Sequence, residues 1–132
     1  RSRGPIMYSS TTSGVKVEVS PLYQEDRSRP EKKYFYWSFD ITIHNLGEVK
    51  IYLTSRHWIV HDENEKLYEI HGSGVTGSQP LIKPKESFTH ASGCPLATPS
   101  GRMRGILRFL DQDRIAFDVR VPEFPFTHTI AP

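Results

Sequence analysis

From Phe35 to His44 the chain alternates without a break. Phe35, Trp37, Phe39, Ile41 and Ile43 take one set of positions, and Tyr36, Ser38, Asp40, Thr42 and His44 the other. A period of two is the side-chain period of a β-strand, so five large apolar residues fall on one face. Burying each stabilises the fold by roughly 1.5–3 kcal/mol, which makes this strand the expected spine of the molecule. No stretch repeats apolar residues every 3.6 positions, the signature of an amphipathic helix.

Shorter runs of the same kind surround it. Val15, Val17 and Val19 predict a strand that stops at Ser20-Pro21, followed by a charged loop from Gln24 to Lys32. After the turn Asn45-Leu46-Gly47, a strand is expected from Val49 to Val60. Asp62-Glu63-Asn64-Glu65 reads as a hairpin connection that returns through Leu67 to Ile70. Lys83-Pro84-Lys85-Glu86 is a further turn. Ser87 to Ser92 is expected as a strand and Cys94 to Ser100 as a loop. Met103 to Leu110 and Ile115 to Val121 close as a hairpin around Asp111-Gln112-Asp113. Beyond it, Pro122, Pro125 and Pro132 keep the tail extended and out of any central strand. Evenly spaced short strands predict an all-β fold: a fibronectin-III or immunoglobulin-like β-sandwich of about seven antiparallel strands, with a small barrel as the alternative.

The chain has 132 residues, enough for one domain. Residues 1–6 are expected to be a vector-derived leader ahead of Met7, and residues 7–132 the domain. Without Arg1 and Arg3 the basic and acidic residues are equal in number. Nucleic acid is therefore not an expected partner, because phosphate binding needs a clustered basic surplus. No run approaches the ~20 apolar residues of a membrane helix, and no apolar leader segment opens the chain. The single Cys94 excludes an intrachain disulfide and a cysteine-rich metal site, and fits a reducing cytoplasm.

Gly72-Ser73-Gly74-Val75-Thr76-Gly77 spells a Gly-x-Gly-x-x-Gly string. A dinucleotide site needs a helix after that string, so that its first amides meet the pyrophosphate. Here Ser78-Gln79-Pro80 follows and no helical period does. The glycines are therefore read as turn-formers with positive φ or as points of close backbone approach. A weaker reading makes the string an anion nest for pyrophosphate or a nucleotide polyphosphate, helped by Arg56, His57, Arg102 or Arg104. Arg102 and Arg104 share one strand face, with Met103 turned to the core.

His57 and His61 have a helical metal-ligand spacing, but on a strand it separates the rings by ~13 Å. No metal and no cofactor are expected. Gly72-Ser73-Gly74 is not a nucleophile elbow, and Cys94 has no recognisable histidine partner. No catalytic residue is named, and the chain is expected not to be an enzyme.

Taken in order, several segments resemble the ApaG family. They are Ile41 to Gly47, Arg56 to Val60, Gly72 to Gly77, Gln79 to Ile82, Ser92-Gly93, Thr98 to Gly105, and Phe117 to Phe124. The likeness runs from Met7 to about Phe126. It departs from the family pattern at Thr76, at Lys85 (where a glycine is usual) and at the Asp111–Arg114 tip. The resemblance implies a fibronectin-III-like sandwich without known catalysis, found in bacteria and in partner-recognising eukaryotic proteins. It also implies a genetic link to cobalt and magnesium tolerance, and phosphate-containing ligands. The expected function is a protein-interaction module, with a pyrophosphate or nucleotide-polyphosphate sensor as the alternative. Phe124-Pro125-Phe126 either folds over the sandwich or offers a sticky surface, and open edge strands make a homodimer an expected assembly.

Overall fold

A computed structural model describes residues 6–73 and 79–127. Residues 1–5 of the expected leader, Gly74 and Gly77 of the glycine string, and Pro132 lie outside the described residues. Nine strands run in order among the described residues. They are β1 (Tyr8–Thr12), β2 (Val15–Tyr23), β3 (Phe35–Asn45), β4 (Ile51–Asp62), β5 (Leu67–Ser73), β6 (Leu81–Ile82), β7 (Ser87–Leu96), β8 (Gly101–Leu110) and β9 (Ala116–Phe126). The charged stretch after β2 forms two three-residue 3-10 turns, Glu25–Arg27 and Pro30–Lys32.

All pairings are antiparallel and fall into two sheets. One sheet has the order β1-β2-β3-β7. The other is β5-β4-β8-β9, with the two residues of β6 also pairing to β4. Two sheets face to face are a sandwich and not a barrel. Strand β3 delivers the core that its alternation predicts: all five of its apolar residues are buried. Trp58, Val60, Met103, Leu107 and Phe109 of the facing sheet meet them.

The tail folds inward. Phe124 and Phe126 are fully buried, their rings 5.7 Å from Phe39 and 5.1 Å from Trp37 respectively. A register shift makes this possible. Met103 pairs with Phe124 but Gly105 pairs with Val121, so Pro122 and Glu123 form a bulge that resets which side chains face in.

The structure also extends strands past prolines where the sequence suggests a stop. β2 continues through Pro21 to Tyr23, and β7 through Pro95 to Leu96. Both prolines sit on edges: the β1 ladder has ended by Val19, and β7 is the last strand of its sheet. A missing N–H on an open side costs no ladder bond. Pro122 and Pro125 follow the same rule on edge strand β9.

The two flanks of the sandwich differ. On one, β1 and β9 are bridged by side chains: Ser10 Oγ donates to the Arg120 carbonyl (2.9 Å), and the Arg120 N–H donates to Thr12 Oγ1 (3.3 Å). On the other, β5 and β7 each have one edge without a partner strand among the described residues.

Candidate functional site

Strand β4 carries Trp58, Val60 and Asp62 into the interior, which turns His57, Ile59 and His61 outward. The hairpin register sets His57 opposite His71 of β5. Their rings stack with centroids 4.0 Å apart and planes 20° from parallel. Glu69, two residues before His71, shares that outward face, and its Oε1 lies 2.8 Å from His57 Nε2. One ligand atom from each of His57, Glu69 and His71 can be chosen so that all lie within 4.8 Å of one another. This is the one such three-residue cluster among the described residues.

His57 and His71 line an open cleft of about 510 Å³ at the end of the β4–β5 ladder, together with Ser55, Arg56, Gly72, Ser73, Ile106, Arg108 and Asp118. Arg56 pairs across the ladder with Gly72. A Cβ on Gly72 would sit 2.6 Å from Arg56 Nη1, so the glycine makes room for the guanidinium. Arg56 Nη1 donates to the Ser73 carbonyl at 3.2 Å. Gly72 thus serves a close approach, but by a side chain and not by backbone. Its φ is not in the left-handed region, which among the described glycines only Gly14 occupies. Across the cleft Arg108 forks onto Asp118 at 2.9 and 3.4 Å. That hydrogen bond holds the Asp118 carboxyl below its ordinary value.

Of the residues singled out from the sequence, Arg56, His57, Gly72 and Ser73 come together here. Arg102 and Arg104 do not line the cleft. Arg102 pairs with Glu65 (3.1 and 3.3 Å) and lies 3.8 Å from Glu123. Arg104 Nη1 donates to His61 Nε2 at 3.1 Å. Met103 between them is buried, as its alternation predicts. Sequence reasoning misses His71 and Glu69, which meet His57 only through the β4–β5 register, and Arg108 and Asp118, which come from β8 and β9.

Cys94 is buried, and desolvation pushes its thiol up to about 12, so at neutral pH it stays protonated. Beside it lies a second concavity of about 590 Å³ on the open flank, lined by Leu67, Tyr68, Ile70 and Glu69 of β5, Val60, and Gly93, Cys94 and Pro95 of β7. Tyr68 and Ile70 pair with the inward-facing Val60 and Trp58, yet they remain 36% and 41% exposed. The facing sheet does not reach far enough to cover them. Leu67 at the start of β5 is 49% exposed.

The sequence profile of the ApaG domain matches residues 25–111. The ApaG proteins of Paramagnetospirillum magneticum and Methylocella silvestris are each 40% identical over 118 residues, 89% of this chain and 91% of theirs. A Bordetella pertussis crystal structure assigned the name ApaA superposes with a TM-score of 0.83 at 36% identity, covering 93% of this chain and 97% of that one. The order of motifs along the sequence, the sandwich and these relatives agree: the chain belongs to the ApaG family.

Proposed function

We propose that the chain is a non-enzymatic protein-interaction module that takes an extended segment of a partner protein along edge strand β5. One observation carries this reading: Tyr68 and Ile70 stand uncovered on the inward side of an unpartnered strand, beside an apolar groove. An extended peptide pairing with that edge would satisfy its open N–H and C=O groups and place alternate side chains in the groove. Large aromatic and aliphatic side chains of this kind are the usual anchors of protein interfaces. The protonated, buried Cys94 is no activated nucleophile, which fits a binding role, and a single cysteine without a disulfide partner in the chain fits a reducing cytoplasm as the place of action. No described helix is long and apolar enough to cross a membrane. The phosphate reading draws support from Arg56 and Ser73 in one cleft. It is disfavoured because Asp118 neutralises Arg108 there and His57 is already taken by the Glu69 carboxylate.

The test is affinity capture from source-cell lysate with wild-type chain, Ile70→Lys, and Ile115→Lys. Ile115 is 61% exposed and lies outside β5 and its groove. A partner held by wild type and Ile115→Lys but lost with Ile70→Lys supports the reading, as does new hydrogen-exchange protection along β5 in the complex. Capture indifferent to Ile70→Lys removes the β5 edge as the docking surface.

A further inference from the structure

We propose that His57, Glu69 and His71 form a binding site for one divalent transition-metal ion of the zinc class. The three donors come from two adjacent strands and share one outward face. His57 and His71 are cross-strand partners, and Glu69 is two positions from His71. Backbone pairing therefore fixes the three Cβ positions, and only side-chain rotamers have to adjust.

The distances are close to what a metal needs. Zinc bound at ~2.0–2.2 Å from nitrogen and oxygen in a tetrahedral shell holds its donors about 3.3 Å apart. His57 Nε2 and Glu69 Oε1 are 2.8 Å apart and share a proton. The ion takes the place of that proton, and the pair opens by about half an ångström to admit it. His71, stacked on His57 at 4.0 Å, swings its ring edge inward to supply the third donor. Its side chain is exposed, so only the stacking on His57 has to shift.

Ligand chemistry selects the ion. Two imidazoles and one carboxylate suit zinc, nickel, copper and ferrous iron, whereas magnesium and calcium require a shell of oxygens. Three protein donors leave a fourth position facing the cleft, open to water or to a small ligand. Arg56 does not compete for that position, because its guanidinium is turned across Gly72 towards the Ser73 carbonyl. His57 and His71 face the cleft while Tyr68 and Ile70 point towards the groove, and Glu69 stands between the two.

The experiment is calorimetric titration of the tag-free full chain with zinc and, separately, with magnesium, alongside NMR of the histidine ring nitrogens. Zinc is expected to bind with 1:1 stoichiometry in the micromolar range and to shift the ring signals of His57 and His71. Magnesium is expected to give no saturable heat. His57→Ala, His71→Ala and Glu69→Gln should each weaken zinc binding about tenfold or more. His44→Ala, on the other sheet, should leave it unchanged. Glu69→Gln keeps the size of the side chain, so it tests the site even if a histidine variant folds poorly. The proposal is overturned if zinc gives no saturable heat, if the ring shifts fall on other histidines, or if the three variants bind as tightly as wild type.

Discussion

Among the described residues, five other than glycine sit in the left-handed region of backbone space, and each is at a turn: Ser13, Lys33, Glu65, Lys85 and Arg114. A side chain there costs about 1–2 kcal/mol relative to a relaxed backbone. Lys85 has φ +68° at the third position of a Lys83–Glu86 turn, with Pro84 before it and the Glu86 N–H bonded to the Lys83 carbonyl at 3.0 Å. That is a type II arrangement, in which glycine fits without strain. Lys85→Gly should therefore stabilise the domain by up to about 1 kcal/mol, after allowing for the greater freedom of an unfolded glycine. A rise of about 4 °C in the thermal midpoint is the expected readout, and an unchanged or lower midpoint would contradict the strain argument. The ApaG resemblance pointed to this position because glycine is usual there. The residue alone did not, since lysine carries no signal for positive φ.

At the scale of the element, the two hairpins that organise the larger sheet use one device twice. Asp62 Oδ1 accepts from the N–H groups of Asn64 (2.8 Å) and Lys66 (2.9 Å). Asp111 Oδ1 accepts from those of Asp113 (2.8 Å) and Ile115 (3.0 Å). Each turn then has its left-handed residue, Glu65 or Arg114, three positions after the aspartate. An aspartate mimics a backbone acceptor in this way and fixes both turn and register. Asp111→Ala, half-buried, should cost about 1 kcal/mol. Asp62→Ala, buried, should cost about 2–3 kcal/mol because it leaves amides unsatisfied. Urea midpoints of the two variants check the order, and equal losses would refute it.

The same hairpin explains what was legible in the sequence and what was not. The Asp62–Glu65 turn and the return through Ile70 could be read, and so could the inward Trp58. The register counted outward from that turn sets His57 against His71 and adds Glu69 on the same face. Periodicity along one strand rejects His57 and His61 as a metal pair, and it says nothing about a neighbour across the ladder. Strand β1 escaped for a different reason. Tyr8–Thr12 has no apolar alternation, because it is an edge held by its ladder to β2 and by hydroxyl bridges to β9. The extensions through Pro21 and Pro95 were hidden because the sequence does not tell an edge from a centre.

For the whole molecule, surface carboxylates set the response to acid. Glu18 is held below its ordinary value of 4.5, chiefly by its hydrogen bond to His44 and also by Lys16. Asp118 is held below 3.8 by Arg108, and Glu65 below 4.5 by Arg102. Groups whose folded values are depressed add stability above their unfolded values and lose it as pH falls through the folded ones. The urea midpoint should therefore be level with respect to these three groups down to about pH 5 and decline below about pH 4. A midpoint still level at pH 3 would show that the pairs contribute nothing.

Ser10 and Thr12 seal one flank of the sandwich against Arg120, while β5 and β7 leave the other unfinished. If two copies meet there by the same strand edge, each covers the open edge of the other among the described residues, so that contact ends as a closed pair and not as a filament. Two hydroxyl side chains on an edge strand would thereby limit how far edge-to-edge pairing of this domain could extend.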